Sequence, residues 1–280
     1  METKFLFSIV FLNQLFLMSF YFPRKIANRI RYVLDTYPPS KFPKLYPMPI
    51  EYYEDKQRNY RIINWFILIA GLFLLNYMFI NFPEDSHRER WDQALVFSFF
   101  MVQFFPVMLL EISSFSLYKI MRKSDSRTAR KAELQRRRLF DFISPLLFGL
   151  AVFVYAAFVG FIIYFERFNY PWFAGFLNIV IITGTNLLFI GIAAWNMFGK
   201  KLDPYQSFED RRRQISLSVK QLAIVSIGMT IYVAFTIVAH AYELRHLSST
   251  FMSIYFQILV WIGLRTIQID NINFEVYKED

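Results

Sequence analysis

Seven long apolar runs constrain the fold of this chain more than any other feature of its sequence. Each is about 17 to 26 residues long, enough for a helix to cross roughly 30 Å of hydrocarbon. The chain is also 55% hydrophobic and only 19% charged, whereas soluble domains are nearer 45–50% and about 25%. We therefore predict an all-α polytopic transmembrane helical bundle that forms a single domain over residues 1–280. The predicted spans are 5–22, 62–82, 94–119, 140–165, 173–198, 221–242 and 251–267.

The first and last runs each have a second interpretation. The first could be a signal peptide led by Lys4, but it ends in Met18-Ser19-Phe20-Tyr21-Phe22-Pro23 without a small-residue cleavage site, which favours a retained helix. The last run is the shortest and could instead be a re-entrant or interfacial segment. We expect both to span.

The distribution of Lys and Arg predicts an orientation. The connections 23–61 and 119–138 hold nine each and 199–220 holds six, which makes 24 of the 31 in the chain. These connections, which are rich in Lys and Arg, alternate strictly with connections that have few, as the positive-inside rule requires of seven spans. The sequence therefore predicts an outer N-terminus and a cytoplasmic C-terminus.

The connection 23–61 is the longest and is rich in proline and tyrosine. It contains six of the eleven prolines, interleaved with tyrosines and basic residues. Proline at this density disfavours continuous helix, and Tyr with Lys and Arg suits the headgroup layer. We interpret it as a cytoplasmic interfacial connection, with a proline-rich docking strip as the alternative.

Catalytic and cofactor motifs are absent from the sequence. The chain has no Cys, and its three histidines, His87, His240 and His246, stand at no metal-binding helix spacing. The seven-helix count invites comparison with receptors and rhodopsins, but no Lys lies in the last span to hold a retinal. We predict no catalytic residue, cofactor or metal.

A few polar residues within the apolar runs are candidates for helix contacts. Asn178, Thr185 and Asn186 would form a polar packing seam, or line a solute pathway. Glu111 and Arg265 each lie toward the cytoplasmic end of a span, where a charge is costly unless it is paired. We predict an intramembrane ion pair between them, the alternative being that each snorkels to the boundary.

Two arginine runs are predicted to contact anionic lipids at the cytoplasmic face. They are Arg136, Arg137, Arg138 and Arg211, Arg212, Arg213. The net charge of +9 is thus assigned to inner loops and not to nucleic acid binding.

Because the sequence contains no catalytic or cofactor motif, it favours a non-catalytic interaction or assembly component. Its partners would be the bilayer and a membrane protein or a second copy, in a plasma membrane or bacterial inner membrane. Two other classes stay open: a transporter or channel for a small solute or ion, and an enzyme acting on a lipid headgroup.

Overall fold

A computed structural model describes residues 2–81, 89–125, 137–265 and 272–279. Within these ranges, regular structure is helical throughout and no strand occurs, so the all-α prediction is confirmed. The main helices are α1 (Glu2–Leu15), α2 (Phe22–Thr36), α3 (Ile50–Ile80), α4 (Glu89–Ser124), α5 (Pro145–Phe165), α6 (Phe176–Phe198), α7 (Phe208–Ala241) and α8 (Ser248–Arg265). A π-helical turn, Phe16–Tyr21, joins α1 to α2, and single 3₁₀ turns occupy Pro43–Leu45, Leu139–Asp141, Glu166–Phe168, Leu244–Leu247 and Phe274–Tyr277.

Six helical stretches in the described chain are long and apolar enough to cross a membrane. They are Thr3–Thr36, Ile50–Ile80, Gln93–Ser124, Pro145–Phe168, Phe176–Phe198 and Phe208–Ala241. The predicted seventh span, 251–267, falls on α8, which is not among the six and ends at Arg265, while 266 and 267 lie outside the described residues. The six indicate a multi-pass membrane protein.

The π turn between α1 and α2 accommodates Pro23. Proline lacks the N–H that continues an α-helical ladder, and its ring crowds the preceding turn. The backbone N–H of Phe22 donates to the Leu17 carbonyl five residues earlier, as a π-helix requires. The helix therefore passes through the proline without ending.

The connection 23–61 is more helical than its proline content predicts. Residues 22–36 belong to α2 and residues 50–61 to α3, so only 37–49 lies outside the α-helices, and it contains the 3₁₀ turn Pro43–Leu45. Pro23 follows the π turn, and Pro49 directly precedes α3 as its N-cap residue, so neither interrupts a helix. The remaining prolines fall within 37–49.

The fourth predicted span begins later than its apolar run. Residues 140–144 lie before the helix, and α5 starts at Pro145, which occupies the first turn where a proline costs no hydrogen bond. The Ser144 hydroxyl accepts the Leu147 N–H at 3.3 Å and caps the helix.

The chain divides into two compact units. The first comprises Met1–Thr128, Leu202–Ser207 and Leu244–Asp280, and the second Ala129–Lys201 and Phe208–Glu243. The sequence predicts one transmembrane domain, and that these units act as one domain stays a prediction.

The first unit packs α1, α3, α4 and α8 around a core centred on α1. Residues at spacings of four on α1 share one face and are almost fully buried. Gly71 of α3 is in close contact with its neighbours, because a Cβ there would collide with Leu15 Cδ2 and lie 2.6 Å from Phe99 Cζ. The core side chains are Phe7, Phe11, Leu15, Ile67, Met78, Val96 and Phe99.

The second unit packs α5, α6 and α7 around two apolar clusters. The larger contains Phe158, Ile162, Phe165, Ile179, Ile182 and Ile237, and the smaller Phe142, Ile143, Met197, Ile215 and Val219. Four glycines of α5 and α6 do not mediate close contacts. Added Cβ atoms at Gly149, Gly160, Gly184 and Gly191 would meet nothing within 4 Å.

Candidate functional site

A series of side-chain hydrogen bonds leads from Asn13, which is exposed, into the buried interior of the first unit. Its groups come from α1, the π turn, α4 and α8. The bonds run in one direction, because each side chain that accepts a hydrogen bond donates the next one, up to Ser19 at the end. The bonds are Asn13 Nδ2 to Gln257 Oε1 (2.6 Å), Gln257 Nε2 to Ser253 Oγ (3.3 Å), Ser253 Oγ to Gln14 Oε1 (2.6 Å), Gln14 Nε2 to Gln103 Oε1 (2.8 Å) and Gln103 Nε2 to Ser19 Oγ (2.9 Å). We call this set of six side chains the polar relay.

Burial makes the polar relay energetically significant. Gln14 and Ser253 are 0% exposed and Gln103 is 3% exposed, so a lost partner could not be replaced by solvent. Gln257 Nε2 also donates to the Val10 carbonyl at 3.0 Å. The relay therefore ties α8 to α1, and α1 to α4.

The polar relay contains amides and hydroxyls only. None of its members titrates near neutral pH, so it has no general acid, general base or charged ligand to offer. Its donors and acceptors are used on one another, which is the chemistry of interhelical polar packing.

A second organised region lies where α2 ends, α4 ends and the C-terminal segment returns, and it packs the ends of these two helices against connecting segments. Its buried members come from the connection 37–49, α4, the segment Leu202–Ser207 and the C-terminal segment. They are Phe42, Met121, Tyr205, Phe274 and Tyr277, with Val33, Tyr37, Leu45, Tyr118 and Val276 packed against them. We call this cluster the aromatic cap.

Asp203 is the polar centre of the aromatic cap and is 7% exposed. Its Oδ1 accepts the backbone N–H groups of Tyr205 (2.8 Å) and Gln206 (3.3 Å). Its Oδ2 accepts the hydroxyl of Tyr277. Asp203 thus receives two bonds from its own loop and one from the C-terminal segment.

Aromatic rings in the aromatic cap pack against one another in stacked and edge-on contacts. The rings of Tyr37 and Phe274 stack at 4.0 Å between centroids, and Tyr37 meets Phe42 edge-on at 5.1 Å. The Lys44 ammonium lies 6.0 Å from the Tyr205 ring centroid, a distance at which cation–π attraction operates. Arg122 Nε donates to the Leu202 carbonyl at 3.0 Å, which anchors the loop to α4.

Tyr46 forms a hydrogen bond within the connection 37–49. Its hydroxyl donates to the Tyr37 carbonyl at 2.7 Å. Burial raises the pKa of Tyr46 to about 12, because the phenolate would lose its water. The tyrosine hydroxyl is therefore a donor throughout the physiological pH range.

The predicted lipid-binding arginines divide into two groups. Arg137 Nη1 donates to the Met197 carbonyl at 2.5 Å, and Arg211 Nη2 donates to the Gly199 carbonyl at 2.6 Å. Both guanidinium groups therefore cap the C-terminal end of α6, where carbonyls and the helix dipole favour a cation. The side chains of Arg138, Arg212 and Arg213 are exposed, and Arg136 lies outside the described residues.

The predicted polar seam on α6 bridges helices at one of its three residues. Asn186 Oδ1 accepts the hydroxyl of Ser226 on α7 at 2.6 Å. Asn178 Nδ2 bonds to the Gly175 carbonyl, and Thr185 Oγ1 to the Ile181 carbonyl, both in the same segment. Asn196, which was not predicted, supplies a second bridge, from its Nδ2 to Ser218 Oγ at 2.7 Å.

The structure describes the side chain of only one partner of the predicted ion pair. Glu111 is exposed on α4, whereas the side chain of Arg265, the last residue of α8, lies outside the described residues. Their pairing stays a prediction. Among the described residues, no group of three or more His, Asp or Glu side chains could hold a metal ion, and His87 lies outside them.

The polar relay and the aromatic cap were both missed at the sequence level, although each leaves a signal. Asn13, Gln14 and Gln103 interrupt otherwise apolar runs, as does Gln257 in the last run. A polar residue inside a membrane helix normally faces another helix, so these amides predict an interior face. The aromatic pair Phe274 and Tyr277, three residues apart near the C-terminus, is the signal for the cap.

The fold and these two regions define an all-helical bundle with helices of membrane length, in which the first unit contains the polar relay and the aromatic cap. No family model matches the chain, and comparison with curated proteins and with solved structures finds no match.

Proposed function

We propose that the chain is a multi-pass membrane protein whose role is interaction or assembly in the membrane, without chemistry of its own. The observation that carries the proposal is the aromatic cap, a folded layer of connecting segments with its own core, built on helices that extend beyond membrane length. Thr3–Thr36 has 34 residues, or about 51 Å at 1.5 Å per residue, against roughly 30 Å of hydrocarbon. Such a layer gives a partner a structured surface.

We propose further that the aromatic cap faces the cytoplasm. The connections 23–61 and 119–138, which adjoin it, carry 18 of the 31 Lys and Arg residues, and basic connections remain inside. The partners on this side would be anionic lipid headgroups and a membrane protein or a second copy of the chain.

The orientation can be tested directly because the chain has no Cys. Single cysteines at Ser40, in the connection 37–49, and at Asn169, between α5 and α6, are both in exposed positions. A membrane-impermeant maleimide should label Asn169→Cys in intact cells, and Ser40→Cys only after the membrane is opened. Labelling of Ser40→Cys from outside would reverse the proposed topology.

The transporter alternative needs a polar pathway. The polar relay is the candidate, but its groups bond to one another and not to an open lumen. The lipid-enzyme alternative needs a carboxylate or histidine cluster, and no group of three or more such residues that could hold a metal ion occurs among the described residues.

The function is tested by purification in mild detergent combined with photo-crosslinking from the same two cysteines. Capture of a defined partner through Ser40→Cys, and not through Asn169→Cys, is the expected result. Solute or ion flux in liposomes containing only the purified chain, without any captured partner, would replace the proposal with the transporter alternative.

A further inference from the structure

The C-terminal segment 272–279 is seated on the aromatic cap in the manner of a bound peptide. Phe274–Tyr277 forms a single 3₁₀ turn, in which residues three apart lie on the same side. Phe274 and Tyr277 are therefore presented together, and both are buried. Asn273 Oδ1 accepts the Glu275 N–H at 3.1 Å, and the Lys278 ammonium pairs with the Glu275 carboxylate at 2.5 Å, so the turn is stabilised by its own residues.

The receiving surface has contacts of its own that do not involve that segment. Asp203 is oriented by the N–H groups of Tyr205 and Gln206 in its own loop, and Tyr37 packs edge-on against Phe42. The loop is tied to α4 through Arg122. The Tyr37 ring that stacks on Phe274 and the Asp203 oxygen that accepts the Tyr277 hydroxyl thus belong to the rest of the first unit.

We infer that this surface is a docking groove for a short peptide of a partner protein that carries Phe and Tyr three residues apart, and that segment 272–279 occupies it as a competing ligand in cis. The inference rests on the proposed function, since it identifies the partner that the aromatic cap would recognise. The Phe fills the slot against Tyr37, and the Tyr hydroxyl donates to Asp203. Acidic residues within or just after the aromatic pair, as Glu275 and Glu279 are here, suit a rim that contains Lys44.

The Tyr hydroxyl is the specificity determinant of this groove. A Phe in its place would fill the same volume but leave the buried Asp203 Oδ2 without that donor, and sites that bind a hydroxyl discriminate strongly against analogues that lack it. We expect a Phe-for-Tyr peptide to bind at least tenfold more weakly.

Occupancy in cis sets the strength of competition. The segment is joined to α8 through residues 266–271, and a short connection gives an effective concentration on the order of 1 mM. For a peptide with an intrinsic Kd of about 1 µM, the tethered segment would weaken binding in trans by roughly 10³-fold. A partner would therefore bind well only when the cis segment is displaced.

The experiment uses the full chain in mild detergent and a fluorescent peptide with the sequence of residues 270–280. The variant Phe274→Ala/Tyr277→Ala empties the groove, and we expect saturable binding of the peptide to it and binding to the wild type weaker by tenfold or more. The Tyr277→Phe version of the peptide should lose affinity. An Ile272→Ala version, altered at an exposed position, should retain it.

Failure of the peptide to bind a double variant that still unfolds cooperatively would overturn the inference, as would equal affinity for variant and wild type. If the double variant does not fold, full-length Tyr277→Phe takes its place, and it should bind the peptide more tightly than the wild type does. Capture of wild-type chain by the variant in a mixture would replace the partner protein with a second copy. Because the assay contains no partner protein, its failure leaves the proposed function to be judged by the crosslinking experiment alone.

Discussion

The side-chain amide of Gln14 donates to the amide oxygen of Gln103 at 2.8 Å, and both residues are buried between α1 and α4. Gln103 in turn donates to Ser19 in the π turn. One side chain on α4 thus contacts both α1 and the irregular turn that ends it. Its removal would leave a donor and an acceptor without partners in the interior.

The first prediction is that Gln103→Leu destabilises the protein. Interhelical hydrogen bonds in membranes are worth about 0.6 kcal/mol on average and up to about 1.7 kcal/mol, and two are lost here. The measurement is the thermal unfolding midpoint in detergent. Ser116→Ala is the matched control, because Ser116 is exposed on the same helix and bonds only to its own helix; equal effects of the two changes would contradict the interior role of the relay.

The second prediction concerns Gly71. An added methyl group would collide with Leu15 and crowd Phe99, so Gly71→Ala should cost about 1–3 kcal/mol, as overpacking does. Gly184→Ala is the control, since its Cβ would meet nothing within 4 Å. There the higher helix propensity of Ala should leave stability unchanged or raise it by up to about 1 kcal/mol. A neutral Gly71→Ala would show that α1 and α3 do not approach as closely as described.

The third prediction separates helix capping from lipid binding among the arginines. Arg211→Gln should lower the thermal midpoint even in detergent without anionic lipid, because it removes a cation from the C-terminal end of α6, worth about 0.3–1 kcal/mol. Its exposed neighbour Arg212→Gln should leave that midpoint unchanged and reduce retention of anionic lipid. Arg137→Gln should behave like Arg211→Gln. If Arg211→Gln and Arg212→Gln have the same profile, the capping role is wrong.

The fourth prediction is the Glu111–Arg265 pair. Phe100 of α4 stacks on Phe256 of α8 at 3.8 Å, which places the two helices side by side at this level. From that contact Glu111 is 11 residues further along and Arg265 nine, about 16 and 14 Å along the two helices. A charge costs roughly 2.5–3.5 kcal/mol at the membrane centre and less near its edge. We expect Glu111→Gln and Arg265→Gln to be individually more harmful than the double change. Additive effects on thermal stability would mean that each residue is only a boundary anchor.

The sequence predicted the fold class because the thickness and polarity of the bilayer set the length and composition of each apolar run, independently of the other helices. Six of the predicted runs coincide with helices of membrane length. The helix ends were predicted less well, since amphipathic residues such as those of 22–36 extend a helix past its apolar run, and Pro145 begins a helix inside one.

Most of the described contacts between helices were not predicted, because the rotation of each helix about its axis is set by its neighbours. Gly149, Gly160, Gly184 and Gly191 have the spacing of packing glycines but face outward, whereas Gly71, which has no such spacing, is the close contact. The arginine runs show the same limitation, since charge alone does not distinguish Arg211, which caps α6, from Arg212, which is exposed.

The polar relay also determines when the first unit can be completed during synthesis. The bond from Ser253 to Gln14 joins residues 239 positions apart, whereas the bond from Gln14 to Gln103 spans only 89. At about 5–20 residues per second, the ribosome reaches Ser253 roughly 12–48 s after Gln14. During that interval the three helices of the second unit are made, while Asn13 and the Gln14 oxygen wait for their partners. The helix α1 therefore acquires these hydrogen bonds only when α8 has been made.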